Sequence, residues 1–498
     1  MGNYAHMKAT SEIPSPGGPG PNEDPPNQSA RPARPARRAR RRVELAAILA
    51  ALAAAFVCWP IGALQTTSLV IAVVFLGGTA GKFGVCLAGV RRERYRPVTD
   101  DDLAALREED LPVYTVLAPL LREADATGQL IKNLLELDYP VSKLEVLLLL
   151  ETGDAETLAA TEEAGLPPYM RVIVVPPGEP RTKARACNVG LSAARGEHLV
   201  CYDATDKPDL DQLKKAVVAF RRGGERMACV QAAVNYRSIR ENFLARMFTA
   251  EYSFWFDCVL PGLDALRLPI PLGGNSSHFR TEALRQLGGW NPFGTTDNAD
   301  RGVRASALGY TVGVINSTTA DEASRNLRDW MRQRSALIKG DMQTAVANTR
   351  NPWSLVRVAG LRRALGLVAL TGGSCLASLF VLPLWILLAA SLMIPARTLG
   401  LLYPDWTLAL ALFSLLVGNS MMIYVTMLGS FLRQRDGQVL WSLFSPCCWI
   451  LHSIASQAAL WQLITRPNYW EKTTYGISAL CARPDPAAAS VPAQGVVQ

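Results

Sequence analysis

The sequence predicts an α/β domain with a parallel sheet, inserted between two groups of transmembrane helices. Two observations predict this fold class. Long apolar stretches lie within residues 43–90 and 364–464 and leave a segment of mixed composition, 96–353, between them. Within that segment, short β-branched and aliphatic runs alternate with helix-like segments, as in a parallel sheet covered by helices on both faces. At 49% hydrophobic and 19% charged residues, the chain is also too apolar for an ordinary soluble enzyme.

The N-terminal segment 1–42 is predicted to be a disordered basic tail, and residues 1–7 look like a cloning scar. This segment carries eight basic residues against three acidic ones, which accounts for most of the formal net charge of +8. Its arginines lie in a Pro- and Ala-rich stretch directly before an apolar run, where positive charge marks the cytoplasmic side of a membrane. The charge therefore indicates membrane topology, and no nucleic-acid partner is expected.

Five apolar runs are candidates for membrane segments. Val43–Ala63 and Ser68–Val90 are each about 20 residues or longer, the length needed to cross a bilayer. Arginines on both outer flanks predict a hairpin with its ends in the cytoplasm. Ala364–Ile394 and Trp406–Leu432 predict further spans, whereas the polar residues and proline of Leu440–Ile464 are also compatible with a broken or interfacial segment. We expect four or five spans in a multi-pass protein of a bacterial inner (cytoplasmic) membrane, with the α/β domain in the cytoplasm.

The α/β segment is predicted from its hydrophobic periodicity. The predicted strands are Tyr114–Leu120, Leu144–Glu151, Arg171–Pro176, His198–Ala204 and Met227–Val234. The helix-like segments between them are Ala126–Leu137, Ala184–Ala194 and Leu210–Arg222. Two later segments, Asn242–Cys258 and Leu327–Thr349, have apolar residues at helical spacing and could be core helices or helices on the membrane surface.

Acidic residues collect directly after the predicted strands, where ligands bind in such folds. Glu151 and Asp154 follow the second strand, and Asp203 and Asp206 follow the fourth. A later loop contributes Asp297, Asn298 and Asp300. A basic loop with Lys183 and Arg185 leads into a helix that carries Asn188, an arrangement suited to an anion. Each group alone is more often a turn or a helix cap, but their combined order predicts an active site.

That order resembles the family 2 glycosyltransferases, and within them the membrane-integrated cellulose-synthase-like branch. The resemblance runs from about Tyr114 to Gly476 and is carried by Glu179–Gly190, Glu251–Asp257 and Pro271–Arg280. It implies a nucleotide-diphospho-sugar transferase-like (GT-A) cytoplasmic domain, Mg²⁺ or Mn²⁺ held by a DxD element, an Asp general base and a membrane channel for a polymer. Tyr469–Gly476, in the predicted C-terminal segment 465–498, is similar to the mobile gating segment of that branch.

The metal and base elements depart from the family pattern. Thr205 stands where the second acid of DxD is expected, so Asp203 remains with Asp206 one place out of step as candidate metal ligands. Asn298 occupies the base position, and an amide cannot usefully accept a proton at pH 7. Asp297 directly precedes it. Loss of a general base typically costs factors of about 10² to 10⁴ in rate.

Two further elements are changed. Gly153 stands where the family usually has an acid, and Ala336 and Leu337 replace the Arg and Trp of the QxxRW element, in which Gln333 remains. The predicted catalytic residues are Asp203, Asp297, Asn298 and Asp300. The predicted substrate-binding residues are Glu151, Asp154, Lys183, Arg185, Asn188, His278, Gln333, Arg334 and Asp341. A cavity that keeps its carboxylates and loses an Arg favours an ammonium group over a diphosphate.

Three functions follow as hypotheses. The leading one is a repurposed enzyme for non-glycosyl chemistry, such as acylation or nitrosation/diazotisation of the amino group of a small amine- or amino-acid-like metabolite in a bacterial biosynthetic pathway. The second is a divergent nucleotide-sugar-dependent glycosyltransferase for a polysaccharide or a glycolipid. The third is a non-catalytic partner of a membrane enzyme. The expected partners are the lipid bilayer and a small-molecule substrate.

Overall fold

The computed structural model describes most of the chain between residues 54 and 466. The described ranges are 54–91, 97–236, 243–273, 275–292, 301–321 without 303 and 307, 326–349, 360–395, 403–433 and 436–466, with isolated positions at 50, 353, 356–357, 397–398 and 400. The predicted basic tail, residues 43–49 and 51–53 of the first apolar run, the loop with Asp297, Asn298 and Asp300, and the gating-like segment Tyr469–Gly476 lie outside these ranges.

The domain is built on one eight-stranded sheet. The strands are β1 (Tyr114–Leu120), β2 (Leu144–Glu151), β3 (Met170–Val175), β4 (His198–Cys201), β5 (Lys207–Pro208), β6 (Met227–Tyr236), β7 (Ser277–Arg280) and β8 (Thr311–Asp321). Their spatial order is β3-β2-β1-β4-β7-β6-β8-β5. β1 pairs in parallel with β2 and β4, β2 with β3, and β6 with β8, while β7 is antiparallel to both β4 and β6.

The α/β prediction is confirmed, but the sheet is mixed where the sequence predicted a parallel one: β7 is antiparallel to its neighbours, and β5 pairs antiparallel to β8. Because β7 reverses direction between β4 and β6, these two strands point the same way. The carboxyl ends of β1, β2, β3, β4, β6 and β8 consequently meet at one edge, called the sheet edge below. The five strands predicted from the sequence coincide with β1, β2, β3, β4 and β6 to within a few residues at their ends.

Helices cover both faces of the sheet and continue beyond it. They are α1 (Pro60–Val90), α2 (Asp100–Ala104), α3 (Ala124–Leu135), α4 (Ala155–Glu163), α5 (Lys183–Ala193), α6 (Gln212–Gly223), α7 (Phe243–Ser253), α8 (Leu260–Ala265), α9 (Thr281–Gln286), α10 (Leu327–Thr349), α11 (Leu361–Met393), α12 (Asp405–Leu432), α13 (Asp436–Val439) and α14 (Ser445–Thr465). Alternate residues of β1 enter two separate cores: Leu117 packs with Leu191 of α5, and Val116 packs with Leu130 of α3 on the opposite face.

Four helices among the described residues are long and apolar enough to cross a membrane: Pro60–Val90, Gly372–Met393, Asp405–Leu432 and Gly437–Thr465. The predicted break between Ala63 and Ser68 is wrong. α1 is continuous from Pro60, and the chain bends at Trp59, because proline is favoured at the first position of a helix. Gly437–Thr465 is helical throughout, with a 3₁₀ turn at Leu440–Phe444.

The domain packs closely on the apolar helices through the segment that runs from the π-helical turn Phe254–Val259 into α8. A Cβ added at Gly262 of α8 would lie 2.0 Å from the carbonyl oxygen of Val85 in α1, and one at Gly89 would lie 2.5 Å from that of Cys258. Glycine at these positions therefore permits backbone-to-backbone contact between the domain and α1. The segment predicted as Asn242–Cys258 lies at this junction, between the sheet and the apolar helices.

Candidate functional site

The sheet edge brings together several of the predicted site residues. Glu151 is the last residue of β2, Asp203 follows β4, and Lys183 begins α5 after the turn that leaves β3. The side chain of Thr182 caps α5 by accepting the backbone N–H of Arg185, which fixes the first turn of the helix at the edge. The expectation that these residues share one edge agrees with the parallel pairing of β1 to β4.

Lys183 and Asp203 form an ion pair at the centre of the edge. The Lys183 ammonium donates a hydrogen bond to Asp203 Oδ1 and a second, of 2.9 Å, to Asn275 Oδ1. Burial alone would lower the pKa of Lys183, but the Asp203 carboxylate holds it well above its ordinary value. The lysine is therefore a fixed cation at neutral pH, and Asp203 is already neutralised by it.

Asp206 has a structural role in the turn after β4. Its Oδ2 accepts the backbone N–H of Asp203 at 2.7 Å, and its own N–H donates to the Asp203 carbonyl at 3.1 Å. Asp206 is fully buried, and burial, together with Asp321 and Asp203, raises its pKa well above the ordinary value. Thr205 donates a 2.7 Å hydrogen bond to Asp321 Oδ1.

Asp321 is a site residue that the sequence analysis missed. It is the last residue of β8, so it lies at the same edge as Glu151 and the residues that follow β4. The signal was present, because the run Thr311–Asp321 is rich in β-branched residues and ends in an acid, as the earlier strands do.

A small, shallow surface pocket adjoins the edge beside β2 and β3. Its charged lining residues are Glu151, Arg181 and Arg185. Arg185 is anchored in the wall by a hydrogen bond from Nη2 to the carbonyl oxygen of Pro176. A carboxylate and two guanidinium groups thus line the same surface pocket.

Asp154, in contrast, is committed to the protein. Its carboxylate caps α4 by accepting from the backbone N–H (3.3 Å) and hydroxyl (2.9 Å) of Thr157, and it also accepts the N–H of Arg122 at 2.6 Å. The preceding Gly153 has φ of +91°, in the region where residues with a Cβ are strained. The local turn therefore favours glycine at this position.

Two predicted substrate-binding residues have internal partners. Asn188 ties α5 to Trp290 through two 2.8 Å hydrogen bonds, one to its carbonyl and one from its N–H. His278 is fully buried, with Nδ1 2.7 Å from the Tyr114 hydroxyl and Nε2 3.2 Å from Gln212 Oε1. Burial lowers the pKa of His278 to about 3, so the imidazole is neutral.

The remaining predicted residues lie on α10, at the junction with the apolar helices. Arg334 donates a 2.7 Å hydrogen bond to Glu251 Oε2 of α7, and His452 Nε2 of α14 lies 3.4 Å from Glu251 Oε1. Gln333 and Asp341 lie on the same helix, and burial raises the pKa of Asp341 to about 6. Glu251 was read from sequence only as part of a family motif, so its pairing with Arg334 is a finding of the structure.

Comparison with known proteins identifies the domain. Residues 112–338 match the family described as "Glycosyltransferase like family 2". We call residues 112–338 the glycosyltransferase-like domain, after the family that they match. The domain has a GT-A-like fold, and the mixed sheet described above is its framework.

Curated relatives are similar to just under half of this chain. A beta-monoglucosyldiacylglycerol synthase from Trichormus variabilis is 27% identical over 46% of this chain and 47% of its own length. The probable glycosyltransferase YdaM from Bacillus subtilis is 22% identical over 47% of this chain and 56% of its own length. The chain thus spans about half the length of the curated relatives it matches.

Two solved structures are reported for comparison. The mannosyltransferase PcManGT from Pyrobaculum calidifontis, in complex with GDP-Man and Mn²⁺, is 18% identical with a TM-score of 0.46, over 79% of this chain and 99% of its own. Glucosyl-3-phosphoglycerate synthase from Mycobacterium tuberculosis, in complex with Mn²⁺, UDP and phosphoglyceric acid, is 19% identical with a TM-score of 0.32, over 54% of this chain and 85% of its own.

The described residues of the glycosyltransferase-like domain do not fit a resident Mg²⁺ or Mn²⁺ ion. Among them, no group of three or more His, Cys, Asp or Glu side chains is placed to hold a metal. Asp203 is paired with Lys183, Asp206 is buried in its turn, and Asp321 accepts a hydrogen bond from Thr205. Hard divalent cations need several ionised, accessible oxygen ligands, which this set does not offer.

Proposed function

We propose that the chain is a membrane enzyme that transfers a glycosyl group from a nucleotide-diphospho-sugar to a lipid acceptor. The observation that carries the proposal is the contact between the glycosyltransferase-like domain and α1, where Gly262 and Gly89 bring the backbones together. An active site on a domain fixed this closely to an apolar helix is suited to an acceptor that resides in the bilayer. Three curated relatives that bear the name beta-monoglucosyldiacylglycerol synthase support a glycolipid product.

The sheet edge supplies the groups that such a reaction needs on the donor side. Lys183, Arg185 and the N-terminus of α5 provide positive charge where a diphosphate would bind. Asp203 holds Lys183 in place and faces the same space. The acceptor hydroxyl must lose a proton, and we retain Asp297, in the loop outside the described residues, as the proposed base.

The proposed topology is multi-pass, with the domain on the cytoplasmic side of a bacterial inner membrane. Four apolar helices of sufficient length and the basic residues that flank the first apolar runs support it. The full chain in lipid nanodiscs, labelled at single cysteines introduced at exposed positions, would test the orientation.

Transfer itself is tested with the full chain in nanodiscs, radiolabelled UDP-glucose or GDP-mannose, and 1,2-dioleoylglycerol. We expect a labelled glycolipid, and a decrease of about 10² or more in rate for Asp203→Asn, because the Lys183 ammonium loses the carboxylate that holds it in position. Glu163→Gln, on the exposed end of α4, is the matched control and should keep wild-type activity. A protein that binds neither UDP nor GDP and transfers neither sugar would contradict the proposal.

A second candidate, non-glycosyl chemistry on a small amine or amino acid, is favoured by one observation. The pocket beside β2 is lined by Glu151 together with Arg181 and Arg185, and both signs of charge are what the ammonium and carboxylate of a zwitterion require. Calorimetric titration separates the two candidates. Binding of UDP or GDP supports glycosyl transfer, whereas binding of free amino acids without any nucleotide binding supports the second candidate.

A further inference from the structure

Two cysteine thiols are in contact behind the sheet edge. The sulfur of Cys187 on α5 lies 3.6 Å from the sulfur of Cys201, the last residue of β4, close enough for one thiol to donate a hydrogen bond to the other. Both cysteines are free and buried. A disulfide bond is about 2.05 Å long, so a small approach of the two sulfurs would allow one to form. Neither thiol takes part in the proposed transfer reaction.

The two thiols adjoin the ion pair of the candidate site. Lys183 precedes Cys187 by four residues, so both side chains lie on one face of α5. Asp203 follows Cys201 by two residues in the turn that leaves β4. Two successive contacts therefore join α5 to the end of β4, first between the thiols and then between Lys183 and Asp203. A movement at the thiols is transmitted to the Lys183 ammonium through a single helical turn.

The surroundings of the thiols are fixed on both sides. β4 is held between β1 and β7, so the backbone of Cys201 has little freedom to move. The second turn of α5 is held by the two 2.8 Å hydrogen bonds between Asn188 and Trp290. At Gly190 the helix lies so close to the sheet that an added Cβ would be 2.9 Å from side chains of β1 and β2. Closure of the gap between the sulfurs must therefore displace the first turn of α5.

The two thiols differ in reactivity. Cys201 is 8% exposed, whereas Cys187 is completely buried. A hydrogen bond from Cys187 lowers the pKa of Cys201, and the nearby Lys183 ammonium acts in the same direction against the effect of burial. An oxidant reacts first with the thiol that has more thiolate character and more access to solvent. Cys201 is therefore the attacking sulfur, and Cys187 is the sulfur that resolves its oxidised form.

We propose that Cys187 and Cys201 form a redox switch, which a hydroperoxide closes into a disulfide that displaces Lys183 from Asp203. The Cys201 thiolate attacks a peroxide oxygen, so that an S–O bond forms, the O–O bond breaks and the leaving hydroxide takes up the thiol proton as water. The Cys187 sulfur then attacks the Cys201 sulfenic acid. An S–S bond forms, the S–O bond breaks, and a second water leaves with the Cys187 proton. The two sulfurs lose two electrons, which the peroxide gains, and a dithiol reductant reverses the change by exchange.

Closure of the switch weakens the binding of an anion at the sheet edge. The Lys183 ammonium and the N-terminus of α5 supply positive charge there, and both belong to the turn that the disulfide displaces. Charge-assisted hydrogen bonds depend on short distances, so a displaced lysine binds an anion less tightly. The effect on a nucleotide diphosphate rests on the proposed function, whereas the disulfide and the displacement of Lys183 do not.

The first test asks whether the disulfide forms. The full chain in nanodiscs is reduced, treated with hydrogen peroxide, digested with trypsin and analysed by mass spectrometry. The tryptic peptides 186–195 and 196–214, which carry the two thiols, should be linked after peroxide and separated again by dithiothreitol. Cys447→Ser, at an exposed cysteine of α14, is the control and should leave the link unchanged. Peroxide that leaves the two peptides unlinked, or oxidises only exposed cysteines such as Cys58, would overturn the inference.

The second test measures the displacement of Lys183 and needs no ligand. The Asp203 carboxylate keeps the Lys183 ammonium protonated, which protects it from acylation by sulfo-N-hydroxysuccinimidyl acetate. Closure of the disulfide should raise the acylation rate of Lys183 about tenfold, equivalent to about 1.4 kcal/mol, and leave that of the exposed Lys132 unchanged. Cys187→Ala and Cys201→Ala should each abolish the response to peroxide. The comparison of reduced and oxidised wild-type protein decides even where a variant fails to fold. Linked peptides with an unchanged acylation rate at Lys183 would overturn the switch.

The third test connects the switch to the proposed function. Calorimetric titration with UDP or GDP should show about tenfold weaker binding to the oxidised protein, with full recovery after dithiothreitol. Equal affinity in the two redox states would show that the thiols do not control the site. If Lys183 responds to peroxide but neither nucleotide binds in either state, the proposed function fails while the redox switch stands.

Discussion

Arg334 donates a 2.7 Å hydrogen bond to Glu251 and thereby joins α10 to α7 at the junction between the domain and the apolar helices. The guanidinium group also lies over the rings of Phe248, Tyr252 and Trp330, at 5.5 to 5.8 Å from their centroids. Burial alone would raise the pKa of Glu251, but Arg334 and His452 lower it to about 2. The carboxylate is therefore ionised across the physiological range and is an internal partner for Arg334.

Removal of this carboxylate should destabilise the protein. Glu251→Gln leaves Arg334 charged among aromatic rings without its counter-ion, and we expect a loss of about 1–3 kcal/mol in unfolding free energy. Thermal unfolding in detergent would measure it. Glu109→Gln, which breaks an exposed ion pair with Arg107, is the control and should change stability by less than about 1 kcal/mol. Equal effects of the two variants would show that the Glu251 pair contributes no more than a surface pair.

Asp341 should make the protein less stable as the pH rises. Burial raises the folded-state pKa of Asp341 to about 6, above the ordinary value of about 3.9. Below about pH 4 the carboxyl is neutral in both states, and above about pH 6 the folded protein must hold it ionised. Stability should therefore fall between about pH 4 and pH 6 and then level off. Without added lipid, Asp341→Asn should increase the free energy of unfolding by about 1–3 kcal/mol at pH 8, which raises the Tm. At pH 4 the Tm should be unchanged. A variant with the same Tm difference at both values would contradict the raised pKa.

The sequence predicted five of the eight strands, namely β1, β2, β3, β4 and β6. β1 and β2 begin and end at the predicted residues, because each is a continuous apolar run bounded by turn residues. β7 was not predicted as a strand, since four residues with His and Arg among them carry no periodicity, and its direction depends on the neighbours β4 and β6. The acidic residues that follow the predicted strands correctly indicated one edge of the sheet. The pattern could not show which of these carboxylates accept backbone hydrogen bonds within the domain.

The candidate site shows the same limit at individual residues. Asp154 and Asp206 have the spacing expected of ligands, yet both accept backbone N–H groups. Whether a carboxylate faces a cavity or caps a turn depends on φ and ψ of its own segment, which the residue type alone does not specify. The Glu251–Arg334 pair joins residues 83 positions apart, so only the tertiary fold could show it.

Nucleotide binding should not require a divalent ion. Because Lys183 neutralises Asp203 and the other two acids are engaged, we expect EDTA to change the affinity for UDP or GDP by less than about threefold. Lys183→Met should weaken the binding about tenfold or more, since a charge-assisted hydrogen bond contributes roughly 1.5–3 kcal/mol. Isothermal titration calorimetry with UDP or GDP, with and without Mn²⁺, would measure these affinities. Lys132→Met is the control and should bind as the wild type does. Binding that appears only when Mn²⁺ is present would show that metal ligands come from residues outside the described part of the chain.

The contact between α8 and α1 should tolerate no side chain at Gly262. A methyl group there would lie 2.0 Å from the Val85 carbonyl oxygen, so Gly262→Ala must push the two backbones apart, at a cost of about 1–3 kcal/mol. Gly84→Ala on α1 is the matched control, because no atom lies within 4 Å of its added Cβ. Thermal unfolding in detergent would compare the stability of the Gly262→Ala and Gly84→Ala proteins. A Gly262→Ala protein as stable as Gly84→Ala would mean that the domain does not sit against α1 as described.

Variants of Asp154 and Glu151, three residues apart, should have different effects, because Asp154 caps a helix and Glu151 lines the pocket. Asp154→Ala removes the N-cap of α4 and the acceptor for the Arg122 N–H, so unfolding should become easier by about 1 kcal/mol. Asp154→Asn retains a capping oxygen and should recover most of that stability. Neither change should alter the affinity for a ligand of the pocket by more than about twofold. Glu151→Gln should weaken ligand binding and leave the stability unchanged, because Glu151 lines the pocket with Arg181 and Arg185 and is not the N-cap of α4. Calorimetric titration and thermal unfolding of all three variants would test this difference. If Asp154→Asn lost ligand affinity at wild-type stability, Asp154 would be a binding residue.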